Sequence, residues 1–130
     1  MNLFQLFAVL AVVESGGDPA CVGDNGEAYG IYQIHECVIT DVNNHYRVNY
    51  KHADAFDPKT AAVIANFYLD IYATPERLGH APTVEDCARI WNGGPNGYKK
   101  KATLGYWKRF REVALKKGYD PDGIFIDRWN

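Results

Sequence analysis

Cysteine is scarce in this chain of 130 residues, where Cys21, Cys37 and Cys87 are the whole complement. An odd number excludes a fully paired disulfide framework. It leaves either one bridge with a free thiol or three free thiols. The three lack a C-x-x-C pair, and His35, His45, His52 and His80 show no H-E-x-x-H or other ligand spacing, so no metal is expected. Cys37 lies near His35 in sequence, but no orienting partner is identifiable, which argues against a thiol nucleophile. Gly93-Gly94-Pro95-Asn96-Gly97 lacks the lysine–serine pair of a phosphate-binding loop, and no cofactor is expected. Charge is nearly balanced at −2, so there is no global electrostatic case for nucleic acid and none is expected as a partner. Long hydrophobic runs are missing too. Leu3 to Val13 is too short to span a bilayer. No Lys or Arg precedes it and no small-x-small cleavage site follows it, so it reads as a buried core helix and not as a signal peptide.

What is present is an ordinary globular composition, 47% hydrophobic and 23% charged, which excludes a disordered chain or a collagen. Without repeats, low-complexity tracts or linkers, residues 1–130 are expected to form one domain around one core, acting as a monomer. Aromatics reach 14%, with nine Tyr, six Phe and three Trp, as in proteins that offer flat surfaces to ligands. Charge is unevenly spread. Residues 1–65 hold three Lys/Arg against eight Asp/Glu, whereas residues 66–130 hold eleven against eight. The basic excess sits in Lys99, Lys100, Lys101, Lys108, Arg109, Arg111, Lys116 and Lys117, opposed there only by Glu112. Such a run is usually a solvated face; its functional reading is attraction to an anionic polymer.

Turn chemistry and periodicity place the elements. Gly16 and Gly17 stop the first helix just after Glu14 and Ser15. Residues 15–30 are rich in glycine, with Asp18-Pro19 and Asp24-Asn25, and read as loop and tight turn. Tyr29 to Ile34 is either a short strand or a helix start, and a small β element is expected near residues 22–34. Asp57-Pro58 opens a helix from Lys59 to Tyr72. Thr83 and Asp86 form a capping box leading a helix through Cys87, Ala88, Ile90 and Trp91. A last helix, Thr103 to Lys117, should bury Leu104, Trp107, Phe110, Val113 and Ala114, and the tail from Tyr119 to Asn130 should lie along the surface. The fold class is therefore mainly α (α+β).

The best chemical candidate is Glu14. A carboxylate at the end of an apolar helix is disfavoured as a charge by desolvation and by the negative helix terminus, and so is expected to serve as a general acid. The bland alternative is a solvated Glu at a fraying helix end. Context favours the first. Glu14-Ser15-Gly16-Gly17, then Gly23-Asp24-Asn25-Gly26-Glu27-Ala28-Tyr29-Gly30-Ile31-Tyr32-Gln33-Ile34, then Ala88-Arg89-Ile90-Trp91-Asn92-Gly93-Gly94-Pro95 form three blocks in order.

This set resembles the lysozyme-like superfamily of peptidoglycan-cleaving enzymes, whose lytic transglycosylase and goose-type branches share a Glu-Ser block, a Gly-x-x-Gln block and an aromatic-Asn-x-Gly block. With Tyr106-Trp107 downstream, the third block is most similar to invertebrate-type lysozymes. The resemblance covers residues 9 to about 110. It implies a lysozyme-like single domain with a small β element beside an active-site cleft, lying between the 15–34 region and the helices after residue 57. By the same resemblance Glu14 matches the catalytic acid and Asp24 the second carboxylate. Gln33 and Asn92 match the second- and third-block amides, expected to bind substrate together with Ser15, Tyr29, Tyr32 and Trp91. The implied partner is the glycan strand of peptidoglycan at the bacterial wall, reached by secretion, in the periplasm or by phage delivery.

The chain also departs from its relatives. Invertebrate-type lysozymes are dense in disulfides, and Tyr98 stands where they place a Cys, so their framework does not transfer. His35 occupies a position where goose-type chains carry another Asp, and Trp91 replaces the Tyr usual in transglycosylases.

Glycosidic cleavage needs an acid for the leaving oxygen and negative charge near an oxocarbenium-like transition state. Carboxyl groups about 5 Å apart suit a retaining mechanism, and about 6.5–9.5 Å an inverting one. Should Asp24 point away, Glu14 alone could act as acid then base and give the anhydro product of a transglycosylase. Each residue also has a packing role open to it: Asp24 as a turn cap, Gln33 and Asn92 as loop fasteners, the aromatic rings as core. Glu27 and Glu36 are second-choice acids. A non-catalytic glycan-binding module is the alternative of a different class.

Overall fold

The computed structural model describes residues 1–126. Its elements run, in chain order, α1 (Leu3–Ser15), β1 (Val22–Gly23), β2 (Ala28–Tyr29), α2 (Glu36–Tyr46), α3 (Pro58–Tyr72), α4 (Pro75–Leu78), α5 (Val84–Gly93) and α6 (Leu104–Lys116). They fall into two units, Glu14–Ile71 and the pair of segments Met1–Val13 with Tyr72–Asn130. Charge follows this division more sharply than it follows the two halves of the sequence. Residues 14–71 hold nine Asp/Glu against three Lys/Arg, and the remainder seven against eleven.

In the two-segment unit, α1 starts on a reciprocal pair. Asn2 Oδ1 accepts the Gln5 N–H and Gln5 Oε1 accepts the Asn2 N–H, both at 3.0 Å. Leu6, Val9 and Leu10 are wholly buried, yet Phe4 is 85% exposed and Val12 40%. The helix is apolar all round as its sequence demands, but only one face is covered. The capping box at the start of α5 forms as expected, with Asp86 taking the Thr83 N–H and Thr83 Oγ1 the Asp86 N–H. Val84, Cys87, Ala88 and Ile90 then fill the core.

On α6 the apolar stripe is rotated from the expected one. Tyr106, Phe110 and Ala114, spaced four apart, are buried, whereas Leu104 is 47% exposed. The helix begins at Leu104, after a separate 3-10 turn at Lys101–Thr103, and its first residue lies off the buried face. The tail pairs with its own unit through the Thr83–Ile124 bridge and an Ile126 N–H to Met1 carbonyl bond. Its residues from 127 on lie outside the described part.

In the unit 14–71, β1 and β2 pair antiparallel with Val22 opposite Tyr29 and Gly23 opposite Ala28. Tyr29 to Ile34 is neither helix nor continuous strand. Its two ends bridge each other through a tight turn, with Tyr29 N–H to Ile34 carbonyl at 3.0 Å and the reverse bond at 2.9 Å. The following helix α2 was not legible as an element, although Val38, Ile39 and Val42 form its buried face. Its last turn stacks Tyr46 on Phe67 of α3, ring centres 4.2 Å apart.

Helix α3 opens on Asp57, whose Oδ2 accepts both the N–H and the hydroxyl of Thr60, at 2.9 and 2.7 Å. The Thr60 hydroxyl first, and then its N–H, hold the Asp57 carboxyl below the usual carboxylate range. A depressed folded-state pKa stabilises above the unfolded value of about 3.9 and loses that effect as pH falls through the folded value. Asn caps helices as well as Asp but does not titrate. The melting-temperature advantage of wild type over Asp57→Asn should therefore shrink between about pH 5 and pH 2. A pH-independent difference in thermal melts would remove this role.

Candidate active site

Glu14 and Ser15 form the last turn of α1, both half-buried, and Gly16 and Gly17 follow in left-handed conformation (φ +65° and +84°). Ser15 Oγ donates to the Ile31 carbonyl at 2.8 Å. The end of α1 is thereby fastened to the 30–33 turn, and the backbone that carries Glu14 cannot fray freely.

The turn is built around Gly30 and Gln33. Gly30 has φ +81° and donates its N–H to the Cys21 carbonyl, and a Cβ there would collide with the Ala55 carbonyl. Gln33 is itself left-handed (φ +55°). Its Nε2 donates to the carbonyls of Cys21 (3.2 Å) and Gly30 (2.9 Å). A Cβ on residue 23 would fall on Gln33 Oε1, so a larger residue there would displace this amide. The side chain thus fastens the loop through its NH2 group, the backbone role its residue type always allowed.

The two tyrosines are used in packing. Tyr29 stacks on His52 with centroids 3.7 Å apart and on Phe56 at 4.6 Å. Tyr32 is only 7% exposed, and burial raises the pKa of its phenol. Tyr29 thereby holds the hairpin to the 52–56 turn, as rings at such positions more often do.

Asp24 is exposed and lies in a 3-10 turn, where it and Asn25 take left-handed backbone (φ +53° and +56°). Its Oδ2 is 3.0 Å from His35 Nε2. His35 is the residue that sequence reasoning did not assign. It occupies the N-cap position of α2 and follows directly on the bridged Ile34. Of the second-choice acids, Glu27 is exposed, and Glu36 is exposed with Oε2 3.4 Å from His52 Nδ1. On α3, Asn66 keeps a buried Oδ1 with no hydrogen-bond partner among the described residues, a second polar group the sequence did not single out.

The third block lies in the other unit. Trp91 is half-buried and Asn92 exposed in the last turn of α5. The loop behind them is braced by arginines. Arg89, only 11% exposed, bonds Thr103 Oγ1, Glu85 and the Lys100 carbonyl. Arg77 donates to the carbonyls of Tyr72 and Pro95 and to Asn96 Oδ1. Within the basic stretch, Lys100 Nζ is bound to the Gly93 carbonyl. Arg111 pairs with both carboxylate oxygens of Asp122, which raises the guanidinium pKa and lowers that of the carboxyl. Lys101, Lys108, Arg109, Lys116 and Lys117 are exposed.

Among the described residues, Cys21, Cys37 and Cys87 are unbridged. No group of three or more His, Cys, Asp or Glu there is arranged to hold a metal ion, and no described helix is long and apolar enough to cross a membrane.

Known proteins share the fold of this chain. A lysozyme of Meretrix lusoria is 37% identical over 54 residues, which are 42% of this chain and 43% of that protein. The aligned stretch thus spans less than half of that relative. The crystal structure of Tapes japonica lysozyme superposes with a TM-score of 0.72 at 28% identity, over 89% of this chain and 94% of that one. Meretrix lusoria lysozyme in complex with Aeromonas hydrophila PliI gives 0.73 at 28%, over 89% and 93%. The fold is lysozyme-like. Residues 2–113 match the transglycosylase SLT domain, and the chain belongs to that family.

Proposed function

We propose that this chain cleaves the β-1,4 bond between N-acetylmuramic acid and N-acetylglucosamine in bacterial peptidoglycan, as a lysozyme-type glycoside hydrolase with Glu14 as general acid. The observation that carries the reading is the fastening of the last turn of α1 to the 30–33 turn by Ser15, which fixes the Glu14 backbone relative to the hairpin that bears Asp24. Glu14 protonates the departing glycosidic oxygen as the C–O bond breaks. Asp24 meets the positive charge that develops on the sugar, as nucleophile or as the base that orients water. Asn92 and Trp91 contact the glycan, and residues 1–130 act as one catalytic domain and as a monomer. The exposed lysines of the 101–117 stretch suit an anionic wall, where the enzyme works outside the cytoplasm.

Transglycosylation is the second reading, favoured by the family match. There the muramic acid's own hydroxyl closes a 1,6-anhydro ring in place of water. Mass spectrometry of glycans released from purified peptidoglycan separates the two. Reducing muramic acid ends are the expected product, and 1,6-anhydro ends would replace hydrolysis by transglycosylation. Intact glycan after prolonged incubation would overturn both and leave a binding module.

A further inference from the structure

Two histidine–carboxylate pairs flank Ile34. On one side His52 reaches Glu36 through Nδ1 and the Ile34 carbonyl through Nε2 (2.7 Å), so Glu36 is drawn toward His52. On the other, His35 Nε2 meets Asp24 Oδ2 at 3.0 Å, with the two side chains 41% and 64% exposed. The second pair joins parts of very different constraint. Asp24 sits with Asn25 in an exposed turn, both residues in left-handed backbone. His35 sits on the fixed start of α2, immediately after a residue held by two backbone bonds and by His52.

We infer that His35 is a positioning residue for Asp24, with its Nε2–H holding Asp24 Oδ2 so that Oδ1 is presented to the sugar. The proposal rests on the glycan-cleavage reading above. The contact needs only an N–H on Nε2 and so operates with the imidazole neutral or charged. An exposed carboxylate on a glycine-flanked turn would otherwise sample many orientations, and a displacement of about 1 Å from productive geometry can lower a rate by about 10²-fold. His35 touches no reacting atom and acts through Asp24 alone.

The test measures kcat and KM on purified peptidoglycan for His35→Ser, His35→Gln, Asp24→Asn and the double variant His35→Ser/Asp24→Asn. Serine is a favoured N-cap residue, so H35S keeps the start of α2 while removing the reach to Asp24. H35Q keeps an N–H donor on a side chain of similar length. H35S should lower kcat by about 10- to 100-fold with KM changed less than about twofold, and H35Q should recover most of the loss. The double variant should be no slower than D24N, since the histidine has nothing left to position. A wild-type kcat in H35S, a loss confined to KM, failure of H35Q to recover, or multiplied losses in the double variant would each overturn the role.

The imidazole ¹H–¹⁵N spectrum supplies a measurement on the unaltered histidine, needed should H35S fail to fold. D24N should shift the His35 Nε2–H signal and leave that of His52 in place, and an unmoved His35 signal would contradict the contact. Wild-type activity in D24N would overturn the parts of Asp24 and His35 together. Loss in D24N beside full activity in H35S would remove His35 alone, and the glycan-cleavage reading depends instead on Glu14.

Discussion

Glu14→Gln should lower the rate of wall cleavage by about 10²- to 10⁴-fold, the usual contribution of a general acid. The substitution is close to isosteric and keeps a good helix former in the last turn of α1. The Ser15 Oγ bond to the Ile31 carbonyl belongs to the next residue and is untouched. Thermal stability should therefore stay near that of the wild type, and any lost activity reports the missing proton. Loss of an interaction made only in the transition state lowers kcat and kcat/KM together, with KM little changed. Clearing of a bacterial wall suspension, followed by turbidity with both proteins at equal concentration, is the direct measurement. Equal clearing would remove Glu14 from the role of acid. Parallel Gln variants of the exposed Glu27 and Glu36 mark the background, and a collapse in either but not in E14Q would move the acid to that residue.

How much of this was legible in the chain follows from the range of the interactions involved. The helix ends at Gly16-Gly17, the Asp57 cap and the Thr83–Asp86 box are set by residues within one turn of each other, and each forms as the sequence implies. The small β element was legible for the same reason, since its turn is encoded in Gly23 to Gly30. Helix α2 was missed because its stripe is only Val38, Ile39 and Val42, set among polar residues that also suit a loop. Leu104 was misplaced because periodicity gives a helix its apolar face but does not fix where the helix starts. The partner of Asp24 was out of reach for another reason. Eleven positions separate it from His35, and they meet because the chain reverses over the 24–34 hairpin. Gln33 carried two readings on one residue type, and the turn geometry decides that its NH2 group is used internally. The charge arithmetic pointed to a division whose boundary falls in the structure at residues 13–14 and 71–72, positions that no composition count locates.

Gly30→Ala should be among the most destabilising single substitutions in the chain, at about 2–5 kcal/mol, from two separable causes. The first is backbone. Gly30 lies at φ +81°, where a Cβ costs about 1–2 kcal/mol. The second is space. The added methyl would overlap the Ala55 carbonyl, a main-chain group that yields only by moving the 52–56 turn, and overpacking of this kind adds about 1–3 kcal/mol. Gly26→Ala isolates the first cause. Gly26 has φ +89° in the same hairpin, and nothing among the described residues lies within 4 Å of a Cβ placed there. Urea unfolding of the two variants and wild type, compared at unchanged m value, should rank G26A between wild type and G30A. The gap between the two variants measures the approach of the Ala55 carbonyl. Equal midpoints for G30A and G26A would mean that this approach is relieved without strain. Activity adds a further reading, because Gly30 supplies a carbonyl to Gln33 Nε2 and precedes the Ile31 carbonyl that holds Ser15. At temperatures where G30A is still folded, it should lose wall-clearing activity that G26A retains. The glycine of the Gly-x-x-Gln block would then act through shape alone, as the residue type that lets the 30–33 turn approach residue 55 while holding the end of the helix that carries Glu14.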